Sequence, residues 1–307
     1  MTTTTTTAAD GTALHTYLWE PAGDPKAIVQ IAHGMAEHAQ RYDRFAAALT
    51  GAGYVVIAND HRGHGHTNPV GADHGYFADH DGFALVTEDL HAVTEAARAA
   101  YPGLPVFLFG HSMGSFLSRS YAAAHGAELA GLILSGTAGD SGALGKVGVG
   151  VAQAQARLRG RKHASGLLTT MSFGQFNKDF KPARTEFDWL SRDPDEVDKY
   201  VADPLCGNVF TTGFWIDLLG GLNYIHATDT TAKVPTDLPI HLIAGSMDPV
   251  GAKTKGVEQV AGQYRKAGVK SVTTHYYIGA RHELLNETNR DEVTADVIAW
   301  LDAHLPS

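Results

Sequence analysis

Pro105-Val106-Phe107-Leu108-Phe109 runs directly into Gly110-His111-Ser112-Met113-Gly114. The apolar run is short enough for a buried strand, and Phe116-Leu117-Ser118-Arg119-Ser120-Tyr121-Ala122 beyond it reads as a helix. A G-x-S-x-G pattern squeezed between strand and helix predicts a nucleophile elbow, a tight turn that lifts the Ser112 hydroxyl clear of a sheet. The two glycines have a steric purpose there, since neighbouring backbone can approach a strained turn only where no Cβ intervenes.

On either side of this junction, Ala27 to Ala32, Tyr54 to Ala58, Leu129 to Leu134, His241 to Ala244 and Val272 to Tyr277 also read as strands. Helical patterns cover Arg44 to Leu49, Asp81 to Ala100, Val257 to Lys266 and Asp291 to His304, and Asp10-Gly11 suggests an opening hairpin. Strand alternating with helix, with strands apolar throughout, predicts an α/β fold with a mostly parallel sheet covered by helices on both faces. The alternation stops between about Asp140 and Pro235. Asp193-Pro194-Asp195-Glu196 is a helix start there, with Asp193 as N-cap and Pro194 at the first helical position. Phe210, Phe214, Trp215, Leu218, Leu219 and Leu222 recur at helical spacing. The expectation is a core built from residues 1–139 and 236–307, with residues 140–235 inserted as a helical cap. Phe210, Phe214 and Trp215 are then candidates to line an acyl pocket, although a stripe that merely packs the cap onto the core would look the same.

Composition narrows the function. The 24 Lys and Arg against 33 Asp and Glu give a formal charge of −9, which argues against nucleic acid as a partner and offers no polybasic patch to anionic lipid. A single cysteine, Cys206, excludes an intrachain disulfide and reads as a structural thiol. Met1 and the six threonines after it contain neither a basic nor an apolar signal region, and no apolar run approaches the roughly 18 residues of a membrane span. A soluble, cytoplasmic protein is the expectation.

A serine hydroxyl is a poor nucleophile near neutral pH and needs an adjacent base, itself oriented by an acid. In a parallel sheet both partners belong on loops at the carboxyl ends of strands, in the chain order Ser, acid, His. Asp248, ending Gly245-Ser246-Met247-Asp248, and His282, ending Gly279-Ala280-Arg281-His282, satisfy order and placement. Asp60 also ends a strand but precedes the serine, and its expected role is to hold the loop Asp60-His61-Arg62-Gly63-His64-Gly65. His111 lies too close along the turn to serve as base and should pack beneath the elbow. The developing oxyanion needs backbone donors: the Met113 amide after the nucleophile, and the Met35 amide in His33-Gly34-Met35, where Gly34 lets the chain turn inward. His61, His64 and His66 lack the further ligands of a metal site. Gly139-Asp140-Ser141-Gly142 mimics a motif of all-β proteases, and Gly145-Lys146 lacks the rest of a phosphate loop. The chemistry requires no cofactor and no metal.

The stretches H-G-M-A-E-H-A-Q-R-Y (33–42), D-H-R-G-H-G (60–65), G-H-S-M-G (110–114), G-S-M-D-P-V (245–250) and G-A-R-H-E-L-L-N-E (279–287) carry a resemblance. The chain resembles the monoacylglycerol lipase and lysophospholipase group of α/β-hydrolases from about residue 10 to 304. F-D-W-L-S-R-D-P-D-E-V (187–197) and D-P-L (203–205) resemble bacterial lysophospholipase-like members, and the cap departs from the animal lipases. The resemblance implies an α/β-hydrolase fold, with Ser112, Asp248 and His282 as nucleophile, acid and base, and Met35 and Met113 as oxyanion donors. It also implies a small-molecule acyl ester as substrate, with monoacylglycerol or lysophospholipid first and transient lipid-surface contact through the cap left open. Two other classes stay open: cleavage of a thioester, amide, carbamate or aromatic monoester, and a non-catalytic binding protein on the same scaffold.

Overall fold

Successive β-branched residues favour extended backbone, and Thr2–Thr7 form strand β1 at the edge of the sheet. It pairs antiparallel with β2 (Ala13–Trp19), from Thr2 opposite Leu18 to Thr7 opposite Ala13. The hairpin turn is the expected one: Gly11 takes φ +87°, and Asp10 accepts the Thr12 amide at 3.0 Å. The computed structural model describes residues 1–68, 73–140 and 142–306. Among these the sheet continues with β3 (Ala27–Ala32), β4 (Tyr54–Asn59), β5 (Val106–His111), β6 (Gly131–Ser135), β7 (Ile240–Gly245) and β8 (Val272–Tyr277).

The strand order is β1-β2-β4-β3-β5-β6-β7-β8, and every pairing after β2–β4 is parallel. Strands β3 to β7 are buried along their whole length, which is why they read as unbroken apolar runs. Helices α1 (Asp43–Gly51), α2 (Gly82–Ala100) and α3 (Met113–His125) follow the first strands. Between β6 and β7 come α4 (Gly142–Arg159), α5 (Gly166–Phe173), α6 (Pro194–Ala202), α7 (Thr212–His226) and α8 (Thr228–Thr231), and after β7 α9 (Lys255–Lys266) and α10 (Arg290–Ala303). Alternate strand residues divide into two cores. Leu108, Leu132 and Leu242 face Leu90, Leu117 and Val260 of α2, α3 and α9; Phe109, Ile133 and Ile243 face Phe45, Val293 and Leu301 of α1 and α10.

The chain reverses direction across the sheet between β3 and β5, because β4 lies on one side of β3 and β5 on the other. Ligands of open parallel sheets bind at the carboxyl ends of strands at such a switch point. Here β3 ends at Ala32, directly opposite Gly110, one residue before the end of β5, so the loop after β3 and the turn after β5 are neighbours by topology.

Between β6 and β7 the described residues contain helices and no strand, only an isolated bridge from Ala164 to Thr211. Helix α6 starts as read, with Asp193 accepting the Asp195 amide at 3.1 Å. Glu196 turns away from that cap to bind Arg44 and Lys199. The stripe on α7 has the packing role: Phe214, Trp215 and Leu218 are buried in the core with Phe210 just before the helix, and Phe214 is centred 4.2 Å from Phe210 and 4.6 Å from Phe77. No helix among the described residues is long and apolar enough to cross a membrane. Ser141, in the protease-like motif, lies outside the described residues.

Phe214→Ala should therefore cost about 3–5 kcal/mol of stability, as large-to-small changes in a core do. Urea unfolding measures it, and the ratio of long-chain to short-chain ester turnover should stay constant in the folded variant. A tenfold change in that ratio would instead place Phe214 against substrate.

Candidate active site

Ser112 joins β5 to α3 at φ +51°, ψ −119°, a left-handed conformation that costs a non-glycine residue roughly 1–3 kcal/mol unless its surroundings enforce it. They do. The Ser112 amide donates to the Ser135 carbonyl at 2.9 Å, and the Ser112 carbonyl accepts the Ser115 amide at 2.9 Å and its hydroxyl at 2.5 Å. A Cβ on Gly110 would lie 2.5 Å from the Gly114 carbonyl oxygen, and one on Gly114 would lie 2.0 Å from that of Ala32. The two glycines thus let α3 close down on β5 and β3.

Asp248 and His282 follow the ends of β7 and β8, and the two loops are stitched together by the Met247 amide donating to Ala280 at 3.0 Å. His282 Nδ1 lies 3.0 Å from both carboxylate oxygens of Asp248, and both side chains are buried. Asp248 Oδ1 is further held by the Val250 amide at 2.9 Å. With the Nδ1 proton directed at Asp248, the basic nitrogen of a neutral His282 is Nε2. Burial alone would push the His282 pKa down; the charge and hydrogen bond of Asp248, with the charges of Glu283 and Glu37, hold it above the ordinary value of 6.5. Its ring is centred 4.8 Å from that of His111 and 5.1 Å from that of Trp189.

Gly34 brings the loop after β3 against the elbow, where a Cβ on it would lie 3.3 Å from Ser112 Cβ. Its amide is already committed, donating to Glu37 Oε1 at 2.5 Å. The Met35 and Met113 amides have no acceptor among the described residues. Met113 opens α3, so its amide has no partner within the helix and sits at the positive end of the helix dipole.

Gly34, Met35, His111, Ser112 and His282 open onto one cavity of about 550 Å³. Its apolar wall is Phe173, Phe187, Trp189, Leu190 and Tyr200; Asn177, Thr185, Glu186 and Asn208 add polar groups. Phe210, Phe214 and Trp215 do not line it. Trp215 stands one layer back, its ring 6.3 Å from that of Phe173. Periodicity found the helix that supports the wall; the wall itself comes largely from irregular chain, where no period exists to be read.

The remaining candidates fall elsewhere. Asp60 is buried and accepts the Ala39 and His66 amides at 2.8 Å, so it ties its own loop to the segment after β3. His111 approaches Ser135 Oγ at 3.4 Å under the elbow, and burial depresses its pKa to about 3. Burial drives the Cys206 thiol well above its usual pKa, which keeps it unreactive. His61 and His64 bond to the carbonyls of His33 and Arg62. His38, Asp203 and Cys206 lie close enough to converge on an ion, but His38 Nε2 is already 2.8 Å from Asp203 Oδ2 and the thiol is held protonated.

A parallel sheet of this topology, with a serine elbow at its switch point and an Asp–His pair on the last two strands, defines an α/β-hydrolase. The sequence profile of the serine aminopeptidase (S33) group of hydrolases matches residues 23–289. The chain belongs to this family, and with it to the serine ester hydrolases of the α/β-hydrolase superfamily. It is similar to the monoacylglycerol lipase of Mycolicibacterium smegmatis strain ATCC 700084 / mc(2)155, with 30% identity over 94% of this chain and 92% of that one. The human monoglyceride lipase is 30% identical over 94% of this chain and 85% of its own length. The crystal structure of a highly thermostable carboxyl esterase from Bacillus coagulans, in complex with glycerol, superposes with a TM-score of 0.93 at 32% identity, covering 99% of both chains.

If His282 is the base, kcat/KM needs it neutral, and its raised pKa puts the acid limb of the pH profile above pH 6.5. Asp248→Asn removes the charge that raises it, so activity should fall by about 10³–10⁴ and the residual acid limb should move to lower pH. Asp60→Asn should act through loop stability. A folded but inactive Asp60→Asn beside an active Asp248→Asn would reassign the acid.

Proposed function

We propose that this enzyme hydrolyses neutral single-chain acyl esters, monoacylglycerols first, through an acyl-enzyme on Ser112. Ser112 Oγ attacks the ester carbonyl as His282 Nε2 takes its proton; Asp248 orients the imidazole and stabilises its cation. The Met35 and Met113 amides receive the oxyanion. His282 then protonates the leaving alkoxide, and water activated by the same imidazole cleaves the acyl-enzyme. Residues 140–235 form the cap that roofs the acyl pocket, and its wall at Phe173, Phe187 and Trp189 replaces the one expected at Phe210, Phe214 and Trp215. The observation that carries this reading is the opening of Ser112 and His282 onto a single cavity, with His282 held 3.0 Å from Asp248.

The charge of the cavity favours a neutral head group. No Lys or Arg lines it among the described residues, whereas Glu37, Glu186 and Glu283 do. Arg41 is already committed to Glu37 and Glu283, so a phosphate brought there would meet carboxylates and no free guanidinium or ammonium to receive it. Monoacylglycerol therefore takes precedence over lysophospholipid, in keeping with the names of the M. smegmatis and human relatives. The acidic lining would also suit the ammonium of an aminoacyl amide, which keeps peptide-like cleavage as the second reading. Leu167 and Met171 are exposed on α5 while Thr169 and Thr170 of the same helix line the cavity, so transient lipid contact through the cap would occur at its mouth.

A panel of monolauroylglycerol, lysophosphatidylglycerol with the same acyl chain and an aminoacyl p-nitroanilide tests the assignment. Monolauroylglycerol should lead by tenfold or more in kcat/KM, and Ser112→Ala should remove roughly 10⁴–10⁶ of kcat without unfolding. A preference for either rival substrate, or a folded Ser112→Ala that stays active, would sink it. Phe173→Ala should cut kcat/KM for long-chain esters by tenfold or more and spare acetate esters, because each methylene buried is worth about 0.8 kcal/mol. An equal loss at all chain lengths would leave Phe173 a packing residue.

A further inference from the structure

Arg41 joins three segments of the site that are remote in sequence. Its Nη1 donates to Glu37 Oε2 at 2.6 Å and to Glu283 Oε1 at 2.7 Å, and its Nη2 donates to Glu283 Oε2 at 2.7 Å. Glu37 is the group that engages the Gly34 amide, next in the chain to the cavity-lining Met35, and it also accepts the Tyr42 hydroxyl at 2.8 Å. Glu283 is bonded in sequence to His282, so its side-chain anchor restricts the backbone that carries the base. The Arg41 guanidinium lies 4.9 Å from the ring centre of Tyr200, whose hydroxyl donates to the Ala36 carbonyl at 2.9 Å. The oxyanion loop, the histidine loop and α6 therefore meet on one planar fork.

We propose that Arg41, gripping Glu37 on one side and Glu283 on the other, is a positioning residue that holds the Met35 amide and the His282 ring in a single fixed relation. This rests on the roles given above to Ser112, His282 and Met35. A guanidinium suits the task because two parallel N–H groups grip one carboxylate while a third N–H reaches another; an ammonium is a point charge and orients neither. The clamp is also electrostatic. His282 is faced by Asp248 from the loop after β7, by His111 from β5, and by the Glu37–Arg41–Glu283 cluster. Arg41 holds Glu283 ionised beside His282, whereas burial raises the Glu37 pKa, so Glu283 is the principal charge of the cluster that favours the imidazolium.

Arg41→Lys, Glu283→Gln, their double variant and Ser112→Ala are compared with the parent enzyme on p-nitrophenyl butyrate, with melting temperature and a pH profile for each. Arg41→Lys should lose tenfold or more in kcat with KM within about twofold, as expected when an interaction made chiefly in the transition state is lost. Glu283→Gln should lose kcat and shift the acid limb of kcat/KM down by roughly half a pH unit, since it removes one charge that favours the imidazolium. The double variant should lose less than the product of the single losses, because both disable one clamp. Folded variants that keep the parent's kcat and acid limb, or that lose only melting temperature, would overturn the proposal. If Arg41→Lys fails to fold, the acid limb of Glu283→Gln decides alone. An inactive parent, or an active Ser112→Ala, would bring down the serine-hydrolase reading and this inference with it; an active, Ser112-dependent parent with indifferent clamp variants overturns the inference only.

Discussion

The left-handed backbone at Ser112 is the constraint on which the rest of the site is built. Relaxed to an ordinary strand or helix conformation, the residue would carry its hydroxyl into the sheet or along α3. Holding it upright requires the Ser135 carbonyl on its amide, the first turn of α3 on its carbonyl, and two glycines that let α3, β5 and β3 crowd together. The same crowding sets Met113 at the helix start and brings Gly34 against the serine. The upright Ser112, the free Met113 amide and the approach of Gly34 are thus products of one packing arrangement, and none could be moved without the others.

Around that turn the protein buries charge, which is expensive unless each group is paired. Asp248 is met by His282 and a backbone amide; Glu37 and Glu283 are met by Arg41. Burial opposes the ionisation of Glu283, yet the guanidinium beside it holds its pKa at about 2. Replacing such a cluster with apolar side chains is often neutral or favourable for stability. Its presence here is better explained by what charges do that hydrocarbons cannot, namely fix direction at hydrogen-bond precision and bias a nearby imidazole.

How far the molecule could be read from its residues depends on whether the signal is local. Strands buried on both faces write themselves as unbroken apolar runs, and the elbow is a local steric motif, so the sheet, the turn at Ser112 and the loops that bring Asp248 to His282 were all legible. The role of α7 was not: a stripe at helical spacing says that a face is buried without saying whether protein or ligand buries it, and here Phe214 meets Phe77 and Phe210. Phe173 closes a short helix, while Phe187 and Trp189 lie in irregular backbone with no periodicity to announce them. Arg41 and Glu283 are separated by 242 positions. Both stood in stretches that carried the family resemblance, but only three-dimensional proximity could pair them. The threonine run, low in complexity, proved to be an edge strand because β-branching and one well-made turn suffice to seat it.

Two main-chain contacts bear on how the enzyme admits its substrate. The amide of Glu283 donates to the carbonyl of Leu190 at 2.8 Å, and that of His282 approaches the carbonyl of Trp189 at 3.4 Å. The 187–190 segment is therefore hydrogen-bonded to the backbone that carries His282. If residues 187–190 swung away, both bonds would break and the His282 backbone would lose its seat. Any opening that keeps both bonds leaves the 187–190 segment in place beside His282, a stationary doorpost.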